Sequence, residues 1–446
     1  VPAPSVTDPR LLSPRGGRLL GVLGIVLLAL TIRTAVAGLA PLAERIDADI
    51  PLDASALGLL GVVPPVAFAL SGVVAPWVAH RLGLERALLV AVVAMIVGHL
   101  LRGVSPDYLA LLGSTTLVLM GAGFANILLP PAVKRYAPGR IGAVTAAYAT
   151  MMSISTALPP LIAVPVADAT SWRVSLALWG VAGVIALVPW LVLAVRPPHP
   201  VVTAPVSVVT ADGRSRGVAT RTASHSDGAA DAPAEADPVV EPDRREFRRL
   251  ARSRVVWGIT VPFAVSGVTA YSTFALMPLI LADLAGVGAA EAGALVGLFA
   301  IIGLPLSLVA PVLTARLRSP VPIVVVGVVS FVIGFGGLAL APTAATPLWM
   351  VALGVGQVMF PMCLALISLR SRTSLRAVTV SGFVQSVGYA IAAVAPIALG
   401  LLHEWTGSWL PAIAVLLAAA LAALIAVPWL RSGELIDDEL ARLAAR

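Results

Sequence analysis

Long apolar runs alternate with short polar clusters along almost the whole chain. Twelve such runs stand out, at about 19–43, 56–79, 87–104, 109–131, 141–166, 174–195, 255–282, 292–315, 321–341, 346–368, 376–401 and 409–430. Each lies near the roughly 20 residues that a helix needs to cross a bilayer. The first run is too long for a signal-peptide core and lacks a small-residue cleavage site, so it is expected to be a spanning helix. The pattern predicts an all-α membrane protein of twelve transmembrane helices. Its expected parts are a tail over 1–18, a six-helix bundle over 19–195, a linker over 196–254, a second six-helix bundle over 255–430 and a tail over 431–446.

The linker breaks the pattern. Its centre, TADGRSRGVATRTASHSDGAADAPAEADPVVEPD, has no aromatic residue and no apolar period. Such a stretch buries too little apolar surface to offset the entropy of ordering, and disorder is expected. It ends in the basic RREFRRLARSR, Arg244 to Arg254. That stretch reads as a solvated linker end, or as a helix resting on an anionic membrane face.

Composition agrees with the runs. Of 446 residues, 59% are hydrophobic and 12% are charged, half the charged share of about 25% usual for soluble domains. The formal charge of +7 does not point to nucleic acid, because the cations are sorted. One set of connections carries Arg81, Arg86, Lys134, Arg135, Arg140, Arg316, Arg318, Arg370, Arg372 and Arg376. The other set carries Glu44, Asp47, Asp49, Asp53, Asp107, Asp168, Asp283, Glu291 and Glu404, with Arg45, Arg102 and Arg173. By the positive-inside rule both termini are expected in the cytoplasm and the chain in the plasma (inner) membrane. The single cysteine, Cys363, rules out an intrachain disulfide and a cysteine metal cluster.

The two groups of six runs resemble each other. Val74-Ala75-Pro76 followed by Arg81-Leu82 recurs as Val309-Ala310-Pro311 and Arg316-Leu317. Gly121 and Gly123 recur as Gly354 and Gly356, Ala143-Val144-Thr145 as Ala377-Val378-Thr379, and Pro41-Leu42 as Pro278-Leu279. The order and nearly the same offset are kept, which predicts a parallel repeat of six helices plus six.

Arg33 stands in the middle of the first run with no acid within a helical turn. An arginine at mid-membrane costs roughly 3 kcal/mol on insertion scales. A chain carries that cost where the charge faces a cavity, a solute or a partner. Arg33 can attract an anion with a planar fork of donors, or it can cap carbonyls or pair with an acid from a neighbouring helix end.

With its six-linker-six layout the chain resembles the major facilitator superfamily and, within it, the cyanate permease and 2-nitroimidazole transporter family. The resemblance is carried by Ile32-Arg33-Thr34 with Gly38-Leu39-Ala40-Pro41-Leu42, and by Leu129-Pro130 with Val133-Lys134-Arg135. Phe360-Pro361-Met362-Cys363-Leu364 and Gly382-Phe383-Val384-Gln385-Ser386-Val387-Gly388 add to it. It covers nearly the whole chain except linker and tails. One loop departs from the superfamily pattern. In His80-Arg81-Leu82-Gly83-Leu84-Glu85-Arg86 a histidine takes the usual acid's place, and Glu85 falls inside the basic end.

The resemblance implies that helices one, four, seven and ten line a central cavity, flanked by two, five, eight and eleven. On those helices the polar side chains at membrane depth are Arg33, Asn126, Tyr148, Tyr271, Gln357, Gln385 and Tyr389, with Thr145 and Thr273 nearby. These are the candidate solute contacts, and each is also a candidate for helix-to-helix bonding or packing. Gln385 and Tyr389 stand four residues apart and share a helical face. His99 and Arg102, near the end of a peripheral helix, are expected at the membrane interface. Pro64-Pro65, Pro130-Pro131 and Pro159-Pro160 are expected to kink or end helices.

No Asp or Glu lies clearly inside a run. A cationic solute would also meet Arg33 as a like charge. The expected function is therefore transport of a small anionic or polar solute, cyanate-like by resemblance. Movement is expected by uniport, by symport with a proton carried on the solute, or with an outer carboxylate as proton site. The alternatives are efflux of drugs or nitroimidazole-like compounds and a non-transporting receptor or scaffold. An enzyme is not expected: the five histidines are scattered without metal-ligand spacing, and no nucleotide loop or catalytic triad is apparent. Expected partners are the solute, a proton in some readings and the lipid bilayer, with no cofactor, metal or nucleic acid, for a monomeric protein.

Overall fold

The computed structural model describes residues 13–52, 54–196 and 244–445. The central linker residues 197–243 lie outside them, so the expectation of disorder there is not addressed. Every regular element among the described residues is helical. Twelve helical units are long and apolar enough to cross a membrane. They are α1 (Arg15–Ala37), α2 (Leu59–Leu82), α3 (Leu84–Gly103), α4 (Tyr108–Tyr136), α5 (Pro138–Ala169), α6 (Trp172–Val195), α7 (Arg254–Ala285), α8 (Glu291–Arg316), α9 (Val321–Leu340), α10 (Thr346–Leu369), α11 (Ser374–Thr406) and α12 (Leu410–Arg431).

A bilayer core offers no water to backbone groups, so a spanning chain must satisfy them within helices. The helix starts are capped in the usual way: Asp107 accepts from Ala110 N–H at 2.8 Å, Ser253 from Val256 N–H and Thr373 from Arg376 N–H, both at 3.1 Å. Gly83, with φ at +84°, is the single residue between α2 and α3. Only glycine adopts that backbone without strain, which permits so tight a reversal.

Burial separates inner from outer helices. α4 and α10 are the most enclosed, with 83% and 72% of their central windows buried. α3, α6 and α9 expose valine and isoleucine rows, among them Val90, Val93 and Val97, Val181, Val184 and Val188, and Val325, Val326 and Val329. Apolar surface of this extent is stable in lipid and unstable in water.

Each double-proline site lies inside a continuous helix, so none ends one. The interruptions fall elsewhere. α1 is helical over Pro14–Ala29 and again over Thr34–Ala37, with turns between. α10 is helical over Thr346–Gly356 and Met359–Leu369, with Gln357 and Val358 between. Arg33 and Gln357 therefore sit at helix breaks. At the first the Arg33 N–H turns to a side chain. At the second tighter backbone bonds, Gln357 N–H to Gly354 O and Phe360 N–H to Gln357 O, carry the chain through.

The two six-helix groups meet on the side that carries the chain ends. A methyl group at Gly72 of α2 would lie 2.7 Å from the Gly382 carbonyl, and one at Gly382 of α11 would lie 2.5 Å from the Gly72 carbonyl. A methyl at Gly142 of α5 would lie 2.9 Å from the Pro311 carbonyl of α8. Hydroxyls stitch the same side: Ser386 donates to Ala69 O at 2.9 Å, Ser381 to Ile127 O at 2.7 Å and Ser368 to Pro130 O at 2.8 Å. Among the described residues, the hydrogen bonds joining the groups lie on this side or at mid-depth.

The same face is tied down by charged segments. Helix Arg244–Leu250 ends the linker and packs Phe247 against Phe383, with ring centroids 5.7 Å apart. It is docked on the bundle, which the composition of the basic stretch does not show. The tail forms helix Ile436–Ala444. Its buried Glu439 accepts from the Ser253 hydroxyl, from Arg254 N–H at 2.8 Å and from Val255 N–H at 3.0 Å, at the start of α7. Arg376 joins Glu246 at 2.6 Å and Asp437 at 3.0 Å. In the loop after α2, Glu85 pairs with Arg135 at 3.0 Å and accepts from the Tyr136 hydroxyl at 2.5 Å. His80 turns back to the Pro76 carbonyl at 2.6 Å. The acid of that loop thus finds its cation on α4 despite its shifted position.

Candidate functional site

Arg33 projects from the break in α1 toward the other six-helix group. Its backbone N–H donates to Ser155 Oγ of α5 at 3.0 Å, and its Nη2 lies 3.4 Å from the Tyr389 hydroxyl of α11. The guanidinium carbon stands 5.2 Å from the Phe68 ring centroid and 6.0 Å from that of Phe360. Such cation–ring contacts contribute about 0.5–2 kcal/mol, more as water is excluded. The groups that act electrostatically on Arg33 are the hydroxyls of Tyr389 and Tyr271; no carboxylate among the described residues does so. A matched buried ion pair is therefore not what Arg33 serves.

Tyr389 is the hub of the site. Its hydroxyl also receives Asn126 Nδ2 at 2.9 Å. Asn126 Nδ2 donates to Gln385 Oε1 at 2.6 Å, and Gln385 Nε2 donates to Ser381 Oγ at 2.8 Å. The ring of Tyr389 packs edge-on against Phe263, at 5.2 Å, and Tyr271, at 6.4 Å, and tilted against Phe68, at 5.2 Å. The structure thus brings Arg33, Asn126, Gln385, Tyr389 and Tyr271 together. Tyr148 interacts with Tyr389 electrostatically, and its own hydroxyl has no hydrogen-bond partner. Gln357 stands slightly apart, one turn before Phe360, where its Oε1 accepts from Ser266 of α7 at 2.6 Å.

Several polar atoms here are buried without partners: Asn126 Oδ1, Gln357 Nε2 and the hydroxyls of Tyr148 and Tyr271. Asn126, Gln385 and Tyr389 are almost fully buried. Arg33, Tyr271, Gln357 and Phe360 are less enclosed, each keeping partial exposure.

Phe68, Phe263, Ser155 and Ser266 complete this site, and none was singled out from the sequence. An aromatic or a serine within an apolar run looks the same whether it faces lipid, a neighbouring helix or a solute path. Phe360 figured only in a motif. His99 and Arg102, in the last turns of α3, face neighbouring helices: His99 is 1% exposed and Arg102 is fully buried.

The profile of the Major Facilitator Superfamily matches residues 22–396. The chain belongs to the Major Facilitator Superfamily. Curated relatives narrow the placement. It is 31% identical over 89% of its length to "Uncharacterized transporter YycB" of Bacillus subtilis (strain 168), covering 90% of that protein. It is 28% identical over 88% of its length to the 2-nitroimidazole transporter of Escherichia coli (strain K12), covering 90% of it. It is 23% identical over 87% to the cyanate transport protein CynX of the same strain, covering 91%. Within the superfamily it is therefore of the cyanate permease and 2-nitroimidazole transporter type, as the motifs around Arg33 and Gln385 imply. Among solved structures, the proton:xylose symporter XylE superposes with a TM-score of 0.69 at 13% identity, covering 96% of this chain and 98% of that one. The human organic anion transporter MFSD10 superposes with a TM-score of 0.61 at 16% identity, covering 94% and 99%. These likenesses establish the fold. This superfamily member is a multi-pass membrane transporter of small solutes and not an enzyme.

Proposed function

We propose that the solute is a small anion or a compact polar molecule with acceptor atoms, moved by alternating access past Arg33. The observation that carries this reading is a half-buried guanidinium, free of any carboxylate partner among the described residues, at the meeting point of the two bundles. Asn126, Tyr148, Tyr271, Gln357, Gln385 and Tyr389 supply the remaining solute contacts. CynX transports cyanate by its name, and a linear anion of that size suits a planar donor fork. The termini lie in the cytoplasm, the protein works as a monomer in the plasma membrane, and any coupling proton rides on the solute or on an outer carboxylate.

A second reading is favoured by the aromatic walls. Phe68, Phe360, Tyr271 and Tyr389 surround Arg33 and would stack a planar heteroaromatic such as 2-nitroimidazole, the solute named for one relative.

Liposome flux separates the two. Purified protein is reconstituted and assayed with labelled cyanate and with 2-nitroimidazole, with and without a pH gradient. Cyanate flux lost in Arg33→Ala and largely lost in Arg33→Lys supports the anion reading. Loss of a charged hydrogen-bonding partner weakens binding by about 1.5–3 kcal/mol, roughly 10- to 150-fold. Full cyanate flux in Arg33→Ala removes Arg33 from the site, and flux of 2-nitroimidazole alone selects the second reading. A strict requirement for an added sodium gradient contradicts the proposed coupling.

A further inference from the structure

Two polar side chains of α3 converge on the broken stretch of α1, on the side away from the solute site. Arg102 Nη1 donates to the Ala35 carbonyl at 3.2 Å. His99 spans the gap between α6 and α1: its Nδ1 lies 3.1 Å from the Leu176 carbonyl and its Nε2 3.4 Å from Thr34 Oγ1. Thr34 and Ala35 directly follow Arg33. The interruption between Ala29 and Thr34 frees the Arg33 N–H, and the end of the short helix Thr34–Ala37 frees the Ala35 carbonyl. Groups from other helices take them up: Ser155 holds the Arg33 N–H and Arg102 the Ala35 carbonyl. The Thr34 hydroxyl donates to the Thr31 carbonyl at 2.8 Å, with His99 beside it at 3.4 Å.

Arg102 is otherwise hard to account for. It is fully buried, and its Nε and Nη2 have no partner. The register of α3 on α4 puts Gly98 against Val118 and Ser105 against Ser114. No acid among the described residues acts on Arg102. A buried ion without a counter-charge is costly, and its one hydrogen bond lands two residues from Arg33.

We infer that Arg102 and His99 are positioning residues for transport. They clamp Thr34 and Ala35 so that Arg33 stays directed at Tyr389 between the bundles. The hydrogen bond carries the effect, not the charge. The inference rests on the reading of Arg33 as the solute-binding group, and its test has a readout that does not depend on solute.

Backbone hydrogen exchange of the full-length protein in lipid nanodiscs is measured for residues 31–38 in the parent, Arg102→Leu and Arg102→Gln. Exchange in this segment should quicken roughly tenfold in Arg102→Leu, the factor set by losing one modest hydrogen bond. It should stay near the parent in Arg102→Gln, which keeps a donor, and α4 and α7 to α12 should not change. In cyanate flux, Arg102→Leu should raise KM about tenfold with kcat kept within about twofold, and Arg102→Gln should restore KM. Unchanged exchange over 31–38, a rise spread evenly through α3 and α4, or equal damage from Gln and Leu would each overturn the clamp. If Arg102→Leu does not insert, His99→Leu tests the other arm, because it leaves the Thr34–Thr31 bond in place: localised quickening supports the clamp and none refutes it. Should the parent carry no cyanate, the Arg33 reading fails while the exchange result still decides the clamp.

Discussion

The approach of α2 to α11 offers a direct handle on the conformational equilibrium. In Gly382→Ala the new methyl carbon would stand 2.4 Å from Pro76 Cγ and 2.5 Å from the Gly72 carbonyl oxygen. Ordinary contact is about 3.5–4 Å, so the helices must part by roughly 1 Å. Neither obstacle is a flexible side chain that can swing away. Overpacking of this kind costs about 1–3 kcal/mol. In an alternating-access cycle that cost falls on the state closed at the face of the chain ends, because the opposite state separates α2 from α11 there. The ratio of the two states should then shift by about 5- to 150-fold toward the opposite one. The assay is pulsed electron-electron distance measurement between spin labels at Arg140 and Arg318. Both are exposed at this face, one in each six-helix group, and Cys363→Ala supplies the background. A longer-distance population should grow in Gly382→Ala. Gly400→Ala, where an added methyl meets nothing within 4 Å, is the control and should leave the distribution as in the parent. An unchanged distribution in a folded Gly382→Ala would refute the claim that this contact closes the face.

Three further outcomes follow from single contacts. Tyr389→Phe removes the oxygen that receives Arg33 and Asn126; KM for the transported probe should rise about 5- to 50-fold, and an unaltered KM would take Tyr389 out of the site. Glu439→Ala strips the carboxylate from the start of α7 and leaves its first N–H groups without that acceptor. It should lower stability by about 1–3 kcal/mol, read as an earlier unfolding midpoint by intrinsic fluorescence. Asp49, beyond the end of α1, is held below the usual aspartate range by the Trp172 indole N–H and then by Arg173. Because its folded value is depressed, the contact contributes fully above the ordinary value of 3.8 and is lost only as pH falls through the lower folded value. The Trp172 indole proton should thus keep its NMR position down to about pH 4 and move below it. Movement already at pH 5 would contradict the assignment.

The spanning helices were legible because lipid imposes one requirement on every residue of a run, and hydropathy reads that requirement directly. Arg33 was legible for the complementary reason: a charge in an apolar run breaks the rule visibly. The breaks in α1 and α10 were not legible. Neither break is marked by a proline in the stretch that unwinds, whereas Pro64, Pro65, Pro130, Pro131, Pro159 and Pro160 all lie in continuous helices. Neighbouring side chains decide where a membrane helix can unwind, and Ser155 is 122 residues from Arg33 in sequence. The inward facing of His99 and Arg102 was not legible either, because the groups they meet, Thr34, Ala35 and Leu176, lie in other runs. Phe68 carried no mark at all, since one phenylalanine among alanines and valines gives no clue to its facing.

The distribution of unsatisfied atoms adds a constraint on what passes. A buried polar atom without a partner costs about 1–3 kcal/mol. Asn126 Oδ1, Gln357 Nε2 and the hydroxyls of Tyr148 and Tyr271 all carry that cost close to the meeting of the bundles. Apolar residues of equal volume would pack there at no such expense. In the proposed reading the polar groups are kept because the solute engages them. A solute that does so must present acceptors to Arg33 and to Gln357 Nε2, while Asn126 Oδ1 takes a donor from the solute or from a water carried with it. The Phe68 and Phe360 rings already pack on the guanidinium, 5.2 and 6.0 Å from its carbon, and cover part of it, so a solute that reaches its donors must be compact. Bulky polyols present acceptors but are not compact, despite the shared fold with a xylose carrier. Competition of cyanate flux by nitrite, formate and bicarbonate, against xylose and fucose, tests this: inhibition by the sugars and not by the small anions would show that compactness does not select the solute.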